Sequence, residues 1–241
     1  MQHLSPAGLL DLWEQGRSRH PLDRALLMLG AAFPEHSFDE LADMPIGCRD
    51  TALLKLQCAL FGNRMEALAD CQTCGEKLEF ALDGRALCAE NDAAAAVVSI
   101  TVAGHQFRLP TSRDAARITS AADAETAARL LLESCRVSAE KAQDPSIGAQ
   151  LTDAQFEEVE MRMAEADPMA NIRLVFSCET CDQRWEQAFD IDEFLWEEIS
   201  ALAVRLLRDV HVLARAYAWP EKEILAMSDS RREAYLAMVE A

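Results

Sequence analysis

Apolar positions along the chain follow two rhythms. In the first, Ser5-Pro6 leads into Leu9, Leu10 and Trp13, which reads as an N-cap, a first-turn proline and one apolar face, hence a short helix. Pro21 followed by Leu22, Ala25, Leu26 and Leu29, closing near Gly30, predicts a second. Over residues 49 to 61, Leu53, Leu54, Leu56, Cys58 and Leu60 recur too densely for a single face, so a largely buried helix is expected there, ended by Gly62-Asn63. Helices are also expected over 123–134 and 152–166. A long one starts at Asp192 as its cap and carries the stripe Leu195, Ile199, Leu202, Leu206, Val210, Leu213 and Tyr217 as far as Pro220; a last one runs from a Ser228 cap through Tyr235 and Val239.

The second rhythm has a period of two. Residues 65–70 and 77–83 flank Cys71-Gln72-Thr73-Cys74-Gly75 as strand, knuckle, strand. Residues 97–102 and 105–109, joined at Ala103-Gly104 and closed by Pro110, read as a β hairpin. Residues 171–176 enter Cys178-Glu179-Thr180-Cys181, and 184–190 leave it. The polar stretch 137–148, broken by Pro145, is the expected loop or hinge. The expected fold is α+β, predominantly helical, with a small four-cysteine zinc-ribbon-like β element built from two distant CxxC knuckles. Its regions are 1–63 (helical), 64–110 (first knuckle and hairpin), 111–169 (acidic and helical, hinge near 138–150), 170–191 (second knuckle) and 192–241 (C-terminal helices), joined in one integrated domain.

A shift of 107 residues superposes Cys71 on Cys178, Thr73 on Thr180, Cys74 on Cys181, Lys77 on Arg184, Glu79 on Glu186 and Asp83 on Asp190. This echo predicts two copies of one unit paired around one metal. A CxxC bend puts two thiolates on one side of a tight turn, and two bends complete the S4 set that Zn(II) prefers. Cys71, Cys74, Cys178 and Cys181 are therefore the expected ligands of a structural Zn2+, with iron as the other ion such a set accepts. The 103 residues between the pairs make the ion a staple between distant parts of the chain. A closed S4 site leaves no position for a substrate or an activated water. Redox use of either CxxC would need a βαβ setting that neither has. Cys48, Cys58, Cys88 and Cys135, isolated among Leu and Ala, are expected in the core.

Composition narrows the function. With half its 241 residues hydrophobic, 27% charged and only 9 Gly and 8 Pro, the chain is neither collagen-like nor wholly disordered. No apolar run approaches a bilayer span and the first residues lack a secretory pattern, so the expected location is cytoplasmic. The net charge is −18, and residues 137–200, with 4 basic and 16 acidic side chains, supply most of it. No basic patch offsets that field, which disfavours nucleic acid. The acidic segment, with Glu157, Glu158, Glu160 and Glu165, is instead a candidate shielding surface toward a partner. No nucleophile motif, P-loop, GxGxxG or HExxH occurs, and Asp209 and His211, two apart on a helix, do not face each other. No enzymatic activity is expected.

The string from Asp209 to Ser228, containing Ala216-Tyr217-Ala218-Trp219-Pro220 and Glu223-Ile224-Leu225, with Arg231-Arg232 and Tyr235-Leu236 beyond it, resembles a segment of T-even-like phage tail and baseplate assembly proteins. The paired knuckles, Pro45-Ile46-Gly47-x-Arg49-Asp50 and Leu109-Pro110-Thr111-Ser112-Arg113-Asp114 look like the zinc-knuckle proteins of phage-tail-like contractile injection system gene clusters. The resemblance implies a non-enzymatic structural or chaperone-like assembly role in a bacterial or phage-infected cell, in the cytoplasm or on the particle, with baseplate, hub or tail proteins as partners and Tyr217, Trp219, Arg231, Arg232 and Tyr235 as the contact region. Two other classes remain open at this point. A zinc-ribbon adaptor in transcription or translation would need a basic stripe, but the knuckles offer only Lys77, Arg85, Arg173 and Arg184 among many acids. A metal-dependent hydrolase would need an open zinc position.

Overall fold

A computed structural model of the protein describes residues 4–91, 99–137 and 151–240. Helices make up most of it, with three two-stranded antiparallel sheets. The fold is thus α+β and predominantly helical. Among the described residues no helix is long and apolar enough to cross a membrane.

The chain forms two compact units that are not consecutive along it. One comprises residues 1–37 and 192–241, the other residues 38–191. The N-terminal region is therefore divided: its first two helices belong with the C-terminal helices, and the rest belongs with the knuckles.

In the first unit, α1 (Pro6–Gly16) is capped by Ser5, whose side chain accepts the amide of Gly8, and α2 (Pro21–Ala32) is capped by His20 in the same manner through Leu22. The long helix α9 (Ile191–Tyr217) carries the expected apolar stripe, and Leu10, Ala203, Leu206 and Leu225 form a core with Trp13, Leu202 and Val210 against it. Gly16 is required here, because a Cβ would lie 2.4 Å from the Trp196 ring. Asp192 is not the cap of α9, since the helix already begins at Ile191 and places Asp192 in its first turn. Beyond Pro220 follow the short α10 (Glu221–Leu225) and α11 (Asp229–Glu240), the latter entered through Ser228, whose carbonyl accepts from Arg231 and Arg232.

In the second unit, a short α3 (Phe38–Ala42) precedes α4 (Ile46–Phe61), buried on several sides as expected. Strands β1 (Arg64–Asp70) and β2 (Lys77–Asp83) form the first knuckle hairpin, followed by α5 (Gly84–Asn91). Next come the hairpin β3 (Ser99–Val102) and β4 (His105–Arg108), then α6 (Ser112–Ile118), α7 (Ala124–Cys135) capped by Asp123, and α8 (Asp153–Ala166) capped by Thr152. A 3-10 turn over Pro168–Asn171 takes the place of the expected strand start at Asn171, so β5 runs Arg173–Ser177 and pairs with β6 (Arg184–Ala188). The expected hinge at 138–150 lies outside the described residues. Val102, Phe107, Leu132, Cys135, Val159 and Met163 make a core between the β3–β4 hairpin and α7 and α8.

Sequence periodicity did not reveal a buried polar network between the starts of α4 and α6. Pro45 bridges to Thr111, and Ile46 donates to the Pro110 carbonyl. The Asp114 carboxylate accepts from the Thr111 amide at 3.0 Å, from its hydroxyl at 2.8 Å and from Arg108 at 2.5 and 2.8 Å. Arg49 pairs with Asp50 at 2.7 Å and reaches Ser112 at 3.4 Å.

Candidate metal centre

The two knuckles are one device built twice. In the first hairpin Glu66 faces Ala81 and Asp70 faces Lys77; in the second, Arg173 faces Ala188 and Ser177 faces Arg184, so each pair of the second hairpin repeats one of the first, displaced by 107 residues. The turns agree as well. Cys71 donates its amide to Glu76 and accepts at its carbonyl from Gly75; Cys178 donates to Gln183 and accepts from Asp182. Each turn needs one residue with positive φ just after its second cysteine. Gly75 supplies it at 73° and Asp182 at 55°, aspartate being among the few side chains that tolerate this region. The hairpins meet through Phe80, edge-on to Phe176 at 5.0 Å, and Phe176 is itself stacked at 5.3 Å on Trp185, its cross-strand partner within the second hairpin.

This packing brings the four thiols together. Cys71 Sγ lies 3.6 Å from Cys181 Sγ, and Cys74 Sγ lies 3.6 Å from Cys178 Sγ. The first sulfur of each knuckle meets the second sulfur of the other, the reciprocal pattern of a two-fold axis within one chain. All four sulfurs lie within 4.8 Å of one another. A tetrahedral ion with bonds of about 2.3 Å separates its ligands by about 3.8 Å, so the set fits such an ion. Cys71 and Cys178 are buried, Cys181 is half-buried and Cys74 is exposed.

Electrostatics point the same way. The amides of Cys74 and Thr73 aim at Cys71 and lower its thiol to about 7. Cys181 receives a favourable amide from Gln183, but desolvation and the sulfurs of Cys74, Cys71 and Cys178 push it up to about 12. Cys74 is raised too: the Glu76 amide lowers it, but desolvation and the sulfurs of Cys178 and Cys71 outweigh that. Four thiolates at this spacing cannot all ionise without a cation among them. The donor set could therefore hold a metal ion, and thiolate softness suits zinc or iron.

Of the four remaining cysteines, Cys135 is fully buried as expected, with burial raising its thiol to about 11, whereas Cys48, Cys58 and Cys88 are only half-buried. No protein-family model, curated protein or solved structure matches this chain.

The other expected site residues belong to the first unit. Tyr217 stacks on Trp219 at 4.5 Å between ring centres, and Tyr235 stands edge-on to both, at 5.8 and 4.8 Å. Ala218, with φ of 57°, makes the turn that folds Trp219 back. Tyr217 is exposed, Trp219 and Tyr235 are half-buried, and the Arg231 guanidinium lies 5.9 Å from the Tyr235 ring centre. Arg232 differs: it is 5% exposed and holds Asp209 at 3.1 Å and Asp229 at 2.7 Å, so its charge is spent inside the protein. In the acidic segment Glu157, Glu160 and Glu165 are exposed, while Glu158 is half-buried and paired with Arg162 at 2.6 Å. His211 is exposed, and Asp209 is engaged by Arg232.

Proposed function

We propose that this chain is a non-enzymatic structural or chaperone-like assembly component of the baseplate of a phage or a phage-tail-like contractile injection system. In this reading it carries one structural Zn2+ on Cys71, Cys74, Cys178 and Cys181. The observation that carries the proposal is the reciprocal closure of four thiols from two knuckles 103 residues apart. An ion with four protein sulfurs has no position left for a water or a substrate, which supports a binding module over a hydrolase. The C-terminal string supplies the direction. Its aromatic cluster, with Arg231 over Tyr235, is the chemistry that partner contacts use most. Tyr217, Trp219, Arg231 and Tyr235 are the contact residues in this reading, and Arg232 braces them from within. The partners are baseplate, hub or tail proteins, met inside the cell where the particle is built.

The test is co-expression of the tagged chain with the baseplate and hub proteins of a contractile system, alongside elemental analysis. Recovery of one such protein in fixed ratio is expected, and Trp219→Ala with Tyr235→Ala should abolish it while the zinc content stays at one ion per chain. Failure to recover any of them, or recovery indifferent to both substitutions, would remove the proposal. Iron in place of zinc would overturn the choice of metal.

A further inference from the structure

The solvent side of α9 carries a charge pattern that its packing does not explain. Glu193, Glu197, Ala201, Val204, Arg208, His211 and Arg215 are all exposed and follow one another at intervals of 4, 4, 3, 4, 3 and 4, so they form one stripe opposite the buried Leu195, Ile199, Leu206 and Leu213. The stripe is acidic at its first end, apolar at its centre and basic at its second. Val204 is 49% exposed, with Leu207 beside it at 37%. Among the described residues no ion pair reaches Glu193, Glu197, Arg208 or Arg215.

We infer that this stripe pairs with the same stripe of a second copy of the chain, antiparallel, about a two-fold axis at Val204. Such an axis sets residues equally far before and after Val204 opposite each other. Glu193 then faces Arg215, Glu197 faces His211 with Arg208 one turn away, Ala201 faces Leu207, and Val204 faces itself. Every facing pair is of opposite charge, polar or apolar. Parallel pairing would instead set carboxylate on carboxylate and guanidinium on guanidinium, which is unfavourable. A second copy is the occupant because it carries the required reverse order of charge by construction, as an isologous interface demands. Ser200, Ala201 and Val204 are small enough for two helix backbones to approach at the crossing. One helix face is a small interface, so the association is weak and concentration-dependent.

Sedimentation velocity of the full chain over 1 to 200 µM tests this. The wild type is expected to pass from monomer to dimer within that range. Glu193→Arg with Glu197→Arg makes the stripe wholly basic, and Arg208→Glu with Arg215→Glu makes its charged positions acidic apart from His211. Each double variant alone should stay monomeric, and an equimolar mixture of the two should restore a dimer. These side chains are exposed, and circular dichroism should show both variants folded. A wild type that stays monomeric throughout, a dimer that survives in either variant alone, or a mixture that stays monomeric would each overturn the inference.

Discussion

Asp167 closes a helix that begins far before it in the chain: its Oδ2 accepts the amide of Gly47, 120 residues away, at 3.0 Å. The N-cap of α4 is Pro45, which offers no side-chain acceptor, so the carboxylate from the end of α8 takes that role. The fit is tight, since a Cβ on Gly47 would lie 1.7 Å from Asp167 Oδ1. Gly47→Ala is therefore expected to cost about 3 kcal/mol, part overpacking and part loss of the cap. Asp167→Ala, which removes only the acceptor, should cost about 1 kcal/mol. Urea unfolding of both variants checks the order.

Cys71→Ser with Cys178→Ser removes one sulfur from each knuckle. With the proposed zinc in place, the expected result is loss of metal together with melting of the knuckle hairpins, read by elemental analysis and circular dichroism. Full helical and strand signal without metal would show that the Phe80, Phe176 and Trp185 packing suffices alone.

The equivalent turn positions differ in what they tolerate. Gly75→Ala places a Cβ at φ of 73° and should cost about 1 kcal/mol, with weaker metal retention against a chelator. Asp182→Gly relieves the same constraint in the other knuckle and should leave stability within about 0.5 kcal/mol of wild type. Equal effects of the two substitutions would argue against the repeated turn as the determinant.

Stability should depend on two buried carboxylates in opposite senses. Burial pushes Asp50 up to about 6 against the pull of Arg49. Its proton is held more tightly in the folded state, so its contribution is complete below about pH 4 and is lost as pH rises through 6. Asp114 is also desolvated, but hydrogen bonds from Arg108 and Thr111 bring it down to about 2. Its contribution is present above about pH 4 and is lost as pH falls toward 2. Asp50→Asn should gain on wild type by on the order of 2 kcal/mol between pH 4 and pH 7. A difference between the two proteins that does not change with pH would contradict this.

Adjacent arginines should separate binding from folding. Arg232→Ala leaves Asp209 without its buried partner and is expected to cost about 3 kcal/mol. Arg231→Ala should cost about 0.5 kcal/mol while weakening recovery of the partner proposed above. Thermal unfolding paired with the pull-down distinguishes them.

The sequence announces most elements because their signals are local. Ser5-Pro6, Asp123 and Thr152 sit where helices begin, and the alternation around each CxxC marks both hairpins. The clustering of the four cysteines was legible for the same reason, since the repeat at 107 residues carries the register as well as the cysteines. What escaped was settled by distant partners. Arg232 looks like a free surface cation until Asp209, 23 residues earlier, is seen to hold it. Asp167 and Gly47 share no pattern at all. Thr111 with Asp114 is a readable capping signature, masked by the neighbouring Pro110 and the short helix. The division into two units was hidden because α1 and α2 belong with helices that come last in the chain.

The reciprocal sulfur pairing has a topological consequence. Once an ion joins Cys71 and Cys74 to Cys178 and Cys181, the backbone between the knuckles becomes a closed ring whose clasp is metal rather than covalent bond. In denaturant strong enough to undo the packing between its two sides but not the thiolate site, a chain cut once inside that ring would still migrate as a single body, and adding a strong chelator would release it as two fragments.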